Sequence, residues 1–197
     1  MKHLLIAIMI VSIVSPLIGC QAQSSRPHRG ADAAQSGAAQ PELARAKHEL
    51  ALTAIDAGDI DAAEALLREA LDADIMFGPA HNNLGKIYFQ QRKLYEAAWR
   101  FEYAIKLMPD QPEPRNNLGL VLEHARRLDD AIVHYTDAHD LAPDNVEILG
   151  NLVRSRLRRG DRDSDVRRQL EDLVLKDTRP DWLAWAHEHL SRLVTRD

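Results

Sequence analysis

Apolar residues along the middle of the chain follow helical spacing, and the whole pattern repeats every 34 residues. Leu50, Leu84, Leu118 and Leu152 are spaced at that interval, and each is followed by Ala51, Gly85, Gly119 or Val153. Thirteen residues beyond the first three leucines stand Ala63, Ala97 and Ala131. Large side chains recur at Leu67, Phe101 and Tyr135, and alanine recurs at Ala70, Ala104 and Ala138. Three units align without a gap. A period of this length denotes paired helices that bury their apolar faces only by stacking on neighbouring pairs. The small residue after each leucine lets the second helix of a pair approach closely. Pro109 and Pro143 close the second and third units, because proline has no N–H to continue a helix. Gly58-Asp59 and Gly160-Asp161 mark turns inside the first and fourth units.

The fourth unit begins with Asn151-Leu152 and then departs from the pattern, with Asp165 where the others have alanine. A helix is expected over about 163–176, packed differently. Thr178, Pro180 and Asp181 are start signals for a last helix running from Trp182 to Val194. Trp182, Trp185, Leu190 and Leu193 would cover the open end of the stack, as a terminal cap must. The expected class is an all-α helical solenoid. Residues 42–145 hold three units, and 146–197 hold a degenerate fourth unit and a capping helix.

The chain starts differently. Lys2 and His3 precede a nearly unbroken apolar run from Leu4 to Val14, which Ser15-Pro16 interrupts. This is the form of an export leader and is too short for a membrane span. It ends Leu17-Ile18-Gly19-Cys20, and Cys20 is the only cysteine in the chain. Residues 21–41 are rich in Ala, Gln, Ser, Gly and Pro and have no large apolar side chain, so they read as a flexible tether. Its root-mean-square span is about 25 Å.

The chain has 197 residues, 45% hydrophobic and 28% charged, with formal net charge −5. That is the composition of a folded protein, and its mild acidity gives no footprint for nucleic acid. A single cysteine excludes an internal disulfide and a cysteine-cluster zinc site. Charge is unevenly placed, with residues 42–77 acidic and 150–170 rich in arginine. Such ends would orient a partner or assist head-to-tail association. No triad, phosphate loop or paired-carboxylate motif is present, and no cofactor or metal site is expected. His187 and His189 point apart on a helix, and His134 and His139 are five residues apart, so all four are expected at the surface.

Two resemblances follow from these residues. Asn83-Leu84-Gly85, Tyr88, Ala97, Phe101, Ala104 and Pro109 resemble the tetratricopeptide repeat, as do Asn117-Leu118-Gly119, Ala131, Tyr135, Ala138 and Pro143. Leu17 to Cys20 resembles the lipobox of bacterial lipoproteins, which implies fatty acylation of Cys20 and cleavage just before it. Gln21, rather than Asp, then favours the outer membrane. In the repeat family the first helix of each pair lines a concave groove that binds a peptide or partner helix. The resemblance places Asn83, Asn117 and Asn151 on that groove. They would either pair with the backbone of an extended ligand or support helix packing. Lys86 and Arg154 lie three residues further on, with Arg158 a turn beyond Arg154, where they would meet a ligand carboxylate or remain solvated. The expected function is a non-catalytic protein- or peptide-binding scaffold held to the cell envelope through lipid at Cys20. The alternatives are a self-assembling structural envelope lipoprotein and an envelope enzyme.

Overall fold

The structure, a computed structural model, describes residues 38–194. The leader, Cys20 and nearly all of the tether lie outside the described residues. Within them the chain forms nine helices and no strand: α1 (Pro41–Asp56), α2 (Ile60–Ala73), α3 (Gly78–Gln90), α4 (Leu94–Leu107), α5 (Pro112–His124), α6 (Leu128–Leu141), α7 (Val146–Arg159), α8 (Ser164–Lys176) and α9 (Pro180–Val194). Pro41, read as the end of the tether, is the first residue of α1. Proline suits that position, where its missing N–H has no intrahelical partner to lose.

Local chemistry sets most helix ends. Asp59 accepts from the backbone N–H of Ala62, Asn145 from Glu147 and Ile148, and Asp163 from Val166. Each satisfies donors that the first helical turn leaves open. The α4 and α6 helices stop at Leu107 and Leu141, two residues before Pro109 and Pro143. Gly58, Arg92, Arg126 and Gly160 sit at the same turn of successive units, and all four have positive φ. Glycine reaches that region freely; the two arginines occupy it under strain.

Each helix packs chiefly on its neighbours in sequence, and α3 also meets α5, and α5 meets α7. The second helices make no comparable contact with one another among the described residues. The odd-numbered helices are therefore the inner layer and α2, α4 and α6 the outer one. A Cβ on Gly85 would come within 2.7 Å of the Phe101 ring, and one on Gly119 within 2.6 Å of the Tyr135 ring. These are the close helix contacts the repeating small residues require. Ala63, Ala70, Ala97, Ala104, Ala131 and Ala138 are fully buried around them.

Leu84, Leu118 and Leu152 are buried, each contributing roughly 1.5–3 kcal/mol. Leu50 breaks the series at 54% exposed. The later leucines have a preceding helix pair to cover them, and no described pair precedes α1. One core cluster runs from Ala51 to Leu152, and a second joins Leu149, Val153 and Leu157 of α7 to α8 and α9. The α7 helix is thus apolar on two faces.

Of the residues expected to cover the end, Leu193 is buried and Trp185 and Leu190 pack on the second cluster. The α9 helix starts two residues before Trp182, at Pro180. The starts of α3, α5, α7 and α9 are all 34 residues apart, so α9 stands as the first helix of a fifth pair. Its Trp182 ring covers Gly150, where a Cβ would come within 2.7 Å.

Candidate functional site

The inner layer carries a ladder of side-chain hydrogen bonds. The Nδ2 of Asn83 donates to Nε2 of His48 at 2.8 Å, that of Asn117 to Oδ1 of Asn82 at 3.0 Å, and that of Asn151 to Oδ1 of Asn116 at 3.0 Å. Each rung joins residues 35 apart, so each asparagine reaches the first helix of the preceding pair. The repeating asparagines therefore brace one unit against the next. Asn83 and Asn117 remain partly exposed, whereas Asn151 is 5% exposed and withdrawn from any ligand. The next rung would join residues 150 and 185. Gly150 has no side chain to accept, and Trp185 packs edge-on against Trp182, so the ladder ends in aromatic packing.

Beside the ladder, between the first halves of α3 and α5, lies an open hollow of about 600 Å³. Asn82, Asn83, Pro79, Glu113 and Pro114 line it together with the turn between α4 and α5. Asn83 keeps its Oδ1 and a second N–H for a ligand there. Lys86 is exposed on α3 and forms no ion pair among the described residues.

The other two expected cations are not available in the same way. Arg154 and Arg158 both bind the carboxylate of Glu123, Arg154 through Nη2 at 3.2 Å and Arg158 through Nη1. The Tyr135 hydroxyl donates to the same carboxylate at 3.0 Å and the Ser155 hydroxyl at 3.2 Å. Burial pushes the Glu123 carboxyl up, but Arg154, Tyr135 and Arg158 together outweigh it and hold the group below its ordinary range. Burial and the adjacent carboxylate push the Tyr135 hydroxyl far up, so it stays a donor. The reading of Arg154 and Arg158 as open carboxylate receptors is corrected. One acid already bridges them, and they tie α7 to α5.

Sequence reasoning missed Glu123. Its signal was present: Arg158 lies 35 residues downstream, the offset that joins the asparagine rungs. The arginine-rich stretch is likewise consumed internally. Arg156 pairs with Asp161 and Asp163, Arg159 with Asp129 and Asp161, and Arg168 with Asp165.

The histidines need a second correction. His187 is exposed, but His134 and His139 are half-buried and His189 donates from Nδ1 to the Trp185 carbonyl at 2.9 Å. No group of side chains able to hold a metal is found among the described residues. No described helix is long and apolar enough to cross a membrane.

The tetratricopeptide repeat signature matches residues 48–112 and again 82–146, together half of the chain. The chain belongs to the tetratricopeptide repeat family. No curated protein sequence matches it. Solved tetratricopeptide structures share its fold at low identity. YrrB, a TPR protein with an unusual peptide-binding site, superposes with a TM-score of 0.66 at 19% identity, over 76% of this chain and 75% of that one. The first TPR of Spaghetti (RPAP3), bound to the HSP90 peptide SRMEEVD, gives 0.60 at 20% identity, over 62% of this chain and 98% of that one. A Thermobaculum terrenum O-GlcNAc transferase mutant gives 0.63 at 21% identity, over 68% of this chain and 26% of its own. At these identities the likeness is one of fold.

Proposed function

We propose that this chain is a non-catalytic scaffold that binds a protein or peptide on its inner layer and is held at the cell envelope by lipid on Cys20. The observation that carries the binding reading is the hollow beside Asn82 and Asn83, with the exposed Lys86 one turn further along α3. Partly exposed amides offer a donor and an acceptor to an extended backbone whatever its side chains. Peptide-bound or peptide-binding tetratricopeptide structures of the same fold support the reading. The lipobox resemblance at Leu17 to Cys20 supports the address, with the outer membrane favoured through Gln21.

The test is a crosslinked pull-down from solubilised envelopes, using the lipidated chain beside an Asn83→Ala/Lys86→Ala variant. The expected result is one specific protein held by the parent and lost from the variant at equal melting temperature. Equal capture by both would move the site off the inner layer. Cys20→Ser should abolish leader processing and release the chain from membranes. Unchanged fractionation would remove the anchor from the proposal.

A further inference from the structure

Beyond the inner layer, the outer face of α4 carries three aromatic residues in a stripe, Tyr95, Trp99 and Tyr103. The repeat does not require them. The same positions hold Asp61, Ala65 and Glu69 in α2, and Asp129, Val133 and Asp137 in α6. Tyr95 is 83% exposed and Trp99 40% exposed, although aromatic side chains of this size gain most from burial. Trp99 and Tyr103 are packed together, with ring centroids 4.6 Å apart. Tyr103 is in turn stacked on the buried His81 at 5.2 Å. Trp99 and Tyr103 are therefore packed from beneath, and Tyr95 stands open beside them.

Between Tyr95 and Trp99 lies an open pocket of about 290 Å³, with Tyr88, Glu96 and Arg100 among its walls. The Arg100 guanidinium sits over the Trp99 ring at 4.7 Å, and its Nη1 donates to Nδ1 of His81 at 3.3 Å. Arg100 faces no carboxylate within ion-pair distance among the described residues, whereas the half-buried Arg154, Arg156 and Arg179 each hold one. Two more cations converge on Tyr88: Arg68 donates to its hydroxyl at 3.1 Å, and Lys93 lies 5.4 Å from its ring centre. Glu64 is already held by Arg68 and Gln91, and Glu96 is exposed.

We infer that this face is a second docking site, one that takes an acidic peptide segment. An apolar side chain of the segment would lie between Tyr95 and Trp99, and a neighbouring carboxylate would reach Arg100. A carboxylate there forms a charge-assisted bond with a guanidinium that Trp99 already fixes in place. Lys93 and Arg100, which have no ion-pair partner among the described residues, outweigh the exposed Glu96 and complement the acid.

The experiment is fluorescence anisotropy with the full chain and labelled, capped hexapeptides. Each peptide has a central Leu, Pro or Phe flanked by Glu, and a matching set carries Gln in place of Glu. We expect saturable binding of at least one acidic peptide and at least tenfold weaker binding of its Gln counterpart. Tyr95→Ala and Arg100→Gln should each weaken the complex at least tenfold, and Lys86→Ala should leave it unchanged. Tyr95 is so exposed that its loss leaves the fold intact, as the melting temperature would show. The inference is overturned if no acidic peptide saturates at millimolar concentration, if the Gln set binds as well, or if Tyr95→Ala binds like the parent. Loss with Lys86→Ala alone would assign the peptide to the inner layer instead. Self-association abolished by Tyr95→Ala in sedimentation would make the occupant a second copy and also overturn it.

Discussion

The Nδ2 of Asn151 donates to Oδ1 of Asn116 across the interface of two helix pairs, and both side chains are buried. Asn83 makes the equivalent bond to His48 at a partly exposed position. Asn151→Ala leaves a buried acceptor without its donor and should cost about 1–3 kcal/mol. Asn83→Ala should cost well under 1 kcal/mol, because water replaces the lost partner. Urea midpoints of the two variants check the difference. Equal losses would contradict the gradient of burial along the ladder.

Glu123 joins α5, α6 and α7 through Tyr135, Arg154, Ser155 and Arg158. Glu123→Ala deprives two guanidiniums and two hydroxyls of one acceptor. Because both arginines are partly exposed, the cost is about 2 kcal/mol rather than that of a fully buried pair. Glu123→Gln keeps an acceptor for Tyr135 and should lose less. Thermal melts of the two variants measure the difference.

Stability should fall on mild acidification. Burial lowers His48, His81, His134 and His139 from their ordinary value of 6.5. Two of them are bonded in the neutral form. His48 accepts at Nε2 from Asn83, while His81 accepts at Nδ1 from Arg100 and donates from Nε2 to the Ile75 carbonyl at 2.8 Å. Near pH 6.5 the unfolded chain binds more protons than the folded one, so stability rises with pH. It should be full above about pH 7 and fall as pH drops through 6.5 toward the folded values. Urea midpoints at pH 7.5, 6.5 and 5.5 would show this. His81→Gln, which does not titrate, should flatten part of the decline.

Arg126 adopts φ 65° at the turn where Gly58 and Gly160 are also left-handed. Arg126→Gly removes a strain of about 1 kcal/mol and should raise the melting temperature by about 2–4 °C. An unchanged or lower temperature would show that the arginine side chain offsets its backbone cost.

The linear order of residues carries the architecture. A 34-residue period, small residues at Gly85 and Gly119 and prolines at 109 and 143 specify helix pairs and their contacts, because those features act within one unit or its immediate neighbour. The start signals around Pro180 placed the last helix to within two residues for the same reason. Partners from different units are settled by three-dimensional packing. The asparagines are regular in sequence, yet their bonds run at an offset of 35, one residue out of register with the repeat. The charges of Arg154 and Arg158 appear open until α5 brings Glu123 beneath them. Leu50 matches Leu84 in pattern but not in burial, since burial depends on a neighbouring pair rather than on the residue. Tyr95 and Trp99 acquire meaning only once α4 is seen as an outer helix. Periodicity reports what every unit shares; a binding surface arises where one unit differs and its neighbours leave it uncovered.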